Sequence, residues 1–242
     1  MTDSASNPIV TPVRTFVLVP GAGGSAWYWH RVVPLLEAAG HRAIPVELPA
    51  ADDSATLSDY AAAIESAAKG SSNIVIVAQS LGGFSAPMAS DELDAQELIF
   101  VNAMIPAPGE SPGQWFSNTG QGDAAREMAE RDGRSPDFDF VEDFFHDVPD
   151  DVRTAAFERG EPVQSDTPMA SLFALDRLPD IPTRVISGRD DRLFPIEFQR
   201  RLATQRLGLD IVEIPGGHLV ALSHPTQLAD RLVATTLPPP LL

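Results

Sequence analysis

Ser80 stands in Ala78-Gln79-Ser80-Leu81-Gly82, directly after the most strand-like run of the chain, Asn73-Ile-Val-Ile-Val-Ala78. A serine flanked by small residues on a sharp turn from strand to helix is a nucleophile elbow. The turn is so tight that larger side chains at 78 and 82 would strike neighbouring backbone. It leaves the hydroxyl exposed beside a helix N-terminus, where backbone N–H groups can hold developing negative charge. Such a serine needs a base, and the chain holds five histidines. His30 and His41 flank an early helix, His146 falls in a long irregular stretch, and His224 precedes Pro225. His218, in Pro215-Gly-Gly-His218, directly follows the last strand-like run, where a flexible loop can carry an imidazole over the sheet edge. It is the expected base. A carboxylate after the preceding strand would fix the imidazole tautomer and stabilise the imidazolium. Gly188-Arg-Asp190-Asp191 offers two adjacent candidates. Serine, acid, histidine is also the chain order that accompanies a nucleophile elbow.

The loop after the first strand, Pro20-Gly-Ala-Gly-Gly-Ser25, admits two readings. As Gly21-Ala-Gly23-Gly-Ser-Ala26 it fits the dinucleotide pattern G-x-G-x-x-A, and Glu47 falls near where a ribose-binding acid would stand. That reading makes the chain a nicotinamide-dependent oxidoreductase. The bulk of Trp27-Tyr28-Trp29 suits a pyrophosphate-binding helix poorly, and the serine, histidine and aspartates are left without a task. In the preferred reading the glycines let the backbone N–H of Ala22 face an oxyanion together with that of Leu81.

Parallel strands and helices must position these residues. Apolar, β-branched runs predict strands at Thr15–Val19, Arg42–Val46, Asn73–Ala78, Leu98–Val101, Thr183–Ser187 and Asp210–Ile214. Helical spacing predicts helices over Trp27–Ala39, ended by Gly40, over Leu57–Lys69, stopped by Gly70, and from Ser80 to about Asp91. Two more are expected at Ile196–Gln205 and Thr226–Thr236, before a PPPLL tail that cannot continue a helix. The alternation implies an α/β fold, a mostly parallel sheet with helices on both faces and ligands at the carboxyl ends of the strands. From Ala103 to Asp180 the alternation stops, and Pro, Gly and Asp accumulate around amphipathic pieces at Ala124–Arg131, Phe140–Phe145 and Asp151–Glu158. So long a stretch is implausible as one loop. Residues 103–180 therefore read as an inserted, mostly helical lid on a core formed by 1–102 and 181–242.

The composition is ordinary for a globular chain, with 43% hydrophobic and 21% charged residues. No apolar run is long enough to span a bilayer. The start, MTDSASNPIVTPV, lacks the basic and apolar parts of a secretory signal. The absence of cysteine excludes disulfides, thiolate metal sites and thiol catalysis. These features point to a cytoplasmic protein. A formal net charge of −17 repels nucleic acid and anionic membranes, so the expected partner is a small molecule. Acidic clusters such as Asp91, Glu92 and Asp94 read as a solvated face rather than as chemistry.

The chemistry-bearing segments also resemble a known family. Thr15-Phe-Val-Leu-Val-Pro-Gly-Ala22, Trp27-Tyr-Trp29 and Leu35-Leu-Glu-Ala-Ala-Gly-His41 look like the opening of the plant methylesterase and hydroxynitrile lyase group of α/β hydrolases. Gln79-Ser-Leu-Gly-Gly83, Phe194-Pro-Ile-Glu-Phe-Gln199 and Gly217-His218-Leu-Val-Ala-Leu222 continue the likeness, which bacterial relatives share. The resemblance implies the α/β-hydrolase fold and a Ser80, Asp191, His218 triad. It selects Asp191 over Asp190 because the family's acid lies three residues after the strand-ending glycine and four before the proline. It puts the oxyanion donors on Ala22 and Leu81, and it implies no metal or organic cofactor. Three departures stand out. Pro20 and Gln79 replace usual histidines, Gly21 replaces the threonine typical of the lyases, and Leu219 replaces their lysine after the histidine. Without that lysine nothing stabilises a departing cyanide. Hydrolysis of a small carboxylic ester is the expected reaction, with cyanohydrin cleavage, lactone chemistry or a non-catalytic receptor role as alternatives. Trp115, Phe116, Phe144 and Phe173, with Met104, Phe145 and Leu175, are the expected apolar pocket.

Overall fold

The structure, a computed structural model, describes residues 12–234. The leading segment up to residue 11 and the PPPLL tail lie outside the described residues. Six strands, β1 (Thr15–Val19), β2 (Arg42–Pro45), β3 (Ile74–Gln79), β4 (Glu97–Val101), β5 (Thr183–Gly188) and β6 (Ile211–Ile214), pair in the order β2-β1-β3-β4-β5-β6. Every pairing is parallel. The register aligns Val19, Ala78, Phe100 and Val185 on one face, and Leu18, Val77 and Ile99 on the other. Burial on both faces explains why these strands read as continuous apolar runs rather than as alternating ones.

The first of those faces packs under α2 (Leu57–Ala68), α3 (Gly82–Ser85) and α9 (Ile196–Leu207), through Tyr60, Ile64, Phe84, Phe198 and Leu202. The second packs under α1 (Val33–Ala38), α10 (Val220–Ser223) and α11 (Pro225–Val233), through Leu36, Val220, Leu228 and Leu232. Two expected helices are broken. Trp27–Ala39 divides into a 3-10 turn at Ala26–Trp29 and α1, because Pro34 has no N–H for the carbonyl of residue 30 and its ring crowds that carbonyl. The helix after Ser80 likewise gives way to a 3-10 turn at Ala86–Ala89, where Pro87 removes another donor.

Residues 103–180 carry α4 (Pro112–Thr119), α5 (Gln121–Arg131), α6 (Phe140–Phe144), α7 (Asp150–Glu158) and α8 (Asp166–Ala170). The helices α5, α6 and α7 fall on the expected amphipathic pieces; α4 and α8 were not anticipated. The start of α4 was nonetheless written in the chain. Ser111 and Gln114 form a capping box around Pro112 at the first helical position. Among the described residues no helix is long and apolar enough to cross a membrane.

Glu110 ties this segment to α9. Its carboxylate accepts from both terminal nitrogens of Arg206, from Asn118 Nδ2 at 2.9 Å and from the Ala107 amide at 3.1 Å. Burial alone would raise the Glu110 carboxyl, but these donors outweigh it and hold the group below its ordinary value. A carboxylate depressed in the folded state contributes stability above its unfolded pKa, and that contribution fades as pH falls through the folded value. The gap in thermal midpoint between wild type and Glu110→Gln is therefore expected to be wide at neutral pH. It should shrink as the pH drops below about 4.3. Melting curves at neutral and acid pH check this, and a gap independent of pH contradicts it.

Candidate active site

Ser80 directly follows β3, with a backbone φ of 48°, in the left-handed region that non-glycine residues rarely occupy. Such strain persists only where the surroundings impose it, and it gathers at functional sites. Here the imposing contact is visible at Gly82, where a Cβ would lie 2.6 Å from the Pro20 carbonyl oxygen. The turn after β1 and the elbow after β3 are packed backbone to backbone, so the elbow cannot relax outward.

Three side chains from three separate loops form one hydrogen-bonded line. His218 Nε2 lies 3.1 Å from Ser80 Oγ, and His218 Nδ1 lies 2.9 Å from Asp191 Oδ2. A carboxylate at Nδ1 requires the proton on that nitrogen, which leaves Nε2 free to accept the serine hydroxyl. His218 and Asp191 are fully buried, whereas Ser80 is partly open. The imidazole is gripped edge-on by Phe144 and Phe194, with ring centroids 5.2 and 4.8 Å away. Asp191 Oδ1 accepts from the amides of Leu193 at 2.9 Å and Phe194 at 2.8 Å, and Gln199 Nε2 reaches Oδ2 at 3.3 Å. The neighbouring Asp190 points elsewhere. It is exposed, and its Oδ2 accepts from the Gly216 amide at 3.1 Å, a loop-capping bond.

Two further residues, neither given a role by the sequence, join this network. Asn102, with φ 43°, donates to the carbonyls of Gly217 at 2.9 Å and His218 at 3.1 Å, and accepts from the Gly188 amide at 2.7 Å. Gln199 Nε2 donates to the Phe194 carbonyl at 2.7 Å. The only available signal for Asn102 was a polar residue closing the apolar run Leu98-Ile-Phe-Val101 at the carboxyl end of β4. Gln79 is buried and its Nε2 faces the His218 carbonyl at 3.4 Å.

The Gly24 amide donates to the Gly21 carbonyl, which closes a tight turn with Ala22 at its corner. Among the described residues, the amides of Ala22 and Leu81 donate to no protein acceptor. Glu47, the suggested ribose ligand, instead accepts from the Ala26 amide at 2.7 Å and so caps the short 3-10 turn.

Beside Ser80 opens a cavity of about 550 Å³. It is lined by Gly21, Ala22 and Gln79, by Trp27, Tyr28, Leu219 and Leu222, and by Phe140, Val141, Phe145 and Phe157, with the charged Arg159 and Glu161 also on its lining. Burial pushes the Tyr28 phenol well above its ordinary range, so it stays neutral there. Of the four aromatics expected to form the pocket, Phe144 touches His218, but Trp115 and Phe173 are core side chains packed on Phe194 and Phe84. Phe116 sits at the surface against Trp115. Phe145, expected with them, does line the cavity. Helical spacing alone does not say which face of α4 turns inward, which is why sequence did not separate Trp115 and Phe116 from Phe140 and Phe157. Among the described residues no three His, Asp or Glu side chains converge as a metal ion would require.

A hydroxyl, an imidazole and a carboxylate in line, next to two free amides and an apolar cavity, can carry out acyl transfer through a covalent intermediate. Comparison with known proteins finds relatives among hydrolases and esterases, with a lyase beside them. The Alpha/beta hydrolase family matches residues 16–231. Polyneuridine aldehyde esterase of Rauvolfia serpentina is 27% identical over 250 residues, covering 91% of this chain and 94% of its own. Alpha-hydroxynitrile lyase of Arabidopsis thaliana is 26% identical over 248 residues, covering 90% and 95%. The crystal structure of a pyrethroid hydrolase from Sphingobium faniae superposes with a TM-score of 0.69 at 23% identity, covering 91% and 96%.

Proposed function

The chain belongs to the alpha/beta hydrolase family, and from that premise we propose that it is a serine esterase acting on small, apolar carboxylic esters. The observation that carries this reading is the unbroken line Ser80–His218–Asp191 at the edge of an apolar cavity. His218 Nε2 takes the Ser80 proton as Oγ attacks the ester carbonyl. The amides of Ala22 and Leu81 hold the oxyanion, and the alcohol leaves with the proton returned by His218. A water activated by the same nitrogen then releases the acid and restores the serine. Asp191 stays ionised and keeps the imidazole in its working tautomer.

Cyanohydrin cleavage is the competing reaction, since one relative is a hydroxynitrile lyase. Two features favour hydrolysis. Leu219, not a cation, follows the histidine and lines the cavity, and the cavity's Arg159 is stacked over the Trp27 ring, so no cation adjoins His218 in the chain to receive a departing cyanide. At Gly21 a Cβ would lie 2.5 Å from Gln79 Oε1 and 2.7 Å from Ser80 Cβ, which leaves no room for a hydroxyl-bearing side chain. Residues 103–180 act as the lid, because α6 and α7 supply Phe140, Val141 and Phe157 to the cavity wall.

The test is a chain-length series of p-nitrophenyl esters, with mandelonitrile as the lyase control. Each methylene added between acetate and hexanoate is expected to raise kcat/KM about three- to fourfold, the factor that corresponds to burying one CH₂ at about 0.8 kcal/mol. Acetate as the best ester, or mandelonitrile cleavage faster than any ester hydrolysis, contradicts the proposal.

A further inference from the structure

The loop that carries His218 is pinned at each peptide group. The Gly216 amide bonds Asp190, and Asn102 holds the carbonyls of Gly217 and His218. Those anchors, like Gln79 Nε2 at the His218 carbonyl, come from the carboxyl ends of the sheet strands. The remaining one does not. The Gly217 amide donates to Asp147 Oδ2 at 2.6 Å, and Asp147 belongs to the link between α6 and α7, inside the 103–180 segment.

The residues leading up to it touch the same site in turn. Phe144 packs edge-on against the imidazole, Phe145 lines the cavity, and His146 wedges against Gly217. A Cβ on Gly217 would lie 2.6 Å from His146 Cε1 and 2.8 Å from Asp147 Oδ1. A side chain at 217 would therefore displace the His146 and Asp147 side chains from the loop. Asp147 Oδ2 is also approached, at 3.5 Å, by His224 Nδ1, whose hydrogen bond is to Ser223 Oγ at 3.0 Å. Its other oxygen is buried and has no partner among the described residues, so the carboxylate is spent on the Gly217 amide rather than on a structural network of its own.

We propose that Asp147 is a positioning residue for His218: through the Gly217 amide it fixes the base from the lid side, so that the wall of the cavity and the placement of the imidazole move as one.

The kinetic arm of the test rests on the esterase reading; a second arm does not. With kcat counted per fluorophosphonate-titrated site, Asp147→Ala is expected to lower kcat about ten- to a hundredfold with KM changed less than about twofold. Asp147→Asn keeps an oxygen for the Gly217 amide and is expected to stay within about threefold of wild type. Unchanged kcat in Asp147→Ala, or equal damage in both variants, overturns the proposal. Hydrogen exchange at the Gly217 amide is read in the same proteins whether or not any ester turns over. Faster exchange in Asp147→Ala supports the anchor, and unchanged protection overturns it. A wild type that hydrolyses no ester overturns the esterase reading, while the exchange result still decides Asp147.

Discussion

Ser80→Ala is expected to lower kcat by roughly 10³- to 10⁶-fold while leaving the fold intact. The size follows from what the substitution leaves behind. On the proposed mechanism the amides of Ala22 and Leu81 and the cavity would still bind and polarise an ester, and such remnants typically keep about 10³-fold acceleration over water. What disappears is the covalent path, since no other hydroxyl stands within reach of His218 Nε2 among the described residues. The strained backbone at Ser80 is imposed by the packing of Pro20 on Gly82, not by the hydroxyl, so the thermal midpoint should barely move. Steady-state kinetics on a p-nitrophenyl ester, with melting curves alongside, check both halves. Loss of activity accompanied by unfolding would assign the effect to structure instead of chemistry.

Asp191→Asn is expected to cost nearly as much, about 10⁴-fold in kcat, or about 5.5 kcal/mol of transition-state stabilisation. An amide cannot accept at both of its terminal atoms. The oxygen is claimed by the Leu193 and Phe194 amides, which puts the NH₂ opposite His218 Nδ1. The imidazole then takes the tautomer with the proton on Nε2, pointing at Ser80, and it can no longer accept. Asp190→Asn is the internal control. That side chain only caps the Gly216 amide, and an asparagine oxygen can do the same. Its kcat should stay within about threefold of wild type. Equal losses in the two variants, or a mild effect at 191, would show that the acid has been assigned to the wrong neighbour.

The adjacency of those two aspartates marks how far the chain could be read. The strands β1, β3 and β4 were legible because their burial on both faces leaves unbroken apolar runs, and the elbow was legible because its tight turn dictates residue types on either side of Ser80. His218 was legible from its place after β6. Asp191 was not separable from Asp190 by residue type or spacing, and only the resemblance selected it. In the structure, the amides of Leu193 and Phe194 distinguish them, and backbone donors leave no trace in side-chain identity. Asn102 and Asp147 escaped for a related reason. Each serves a carbonyl or amide of the 216–218 loop more than 65 residues away in sequence, without a local pattern. The helix breaks at Pro34 and Pro87 were written in plain residues and obey an elementary rule about missing donors. The pocket was the poorest reading. Trp115, Phe173, Phe140 and Phe157 are alike in composition, and only tertiary packing sends the first two to the core and the last two to the cavity.

The most direct measurement is to label the native protein with a fluorophosphonate and locate the adduct by peptide mass spectrometry. One adduct per chain is expected, on Ser80, absent from Ser80→Ala and formed far more slowly in His218→Ala. An adduct on a different serine, or undiminished ester turnover in Ser80→Ala, would contradict the assignment of Ser80.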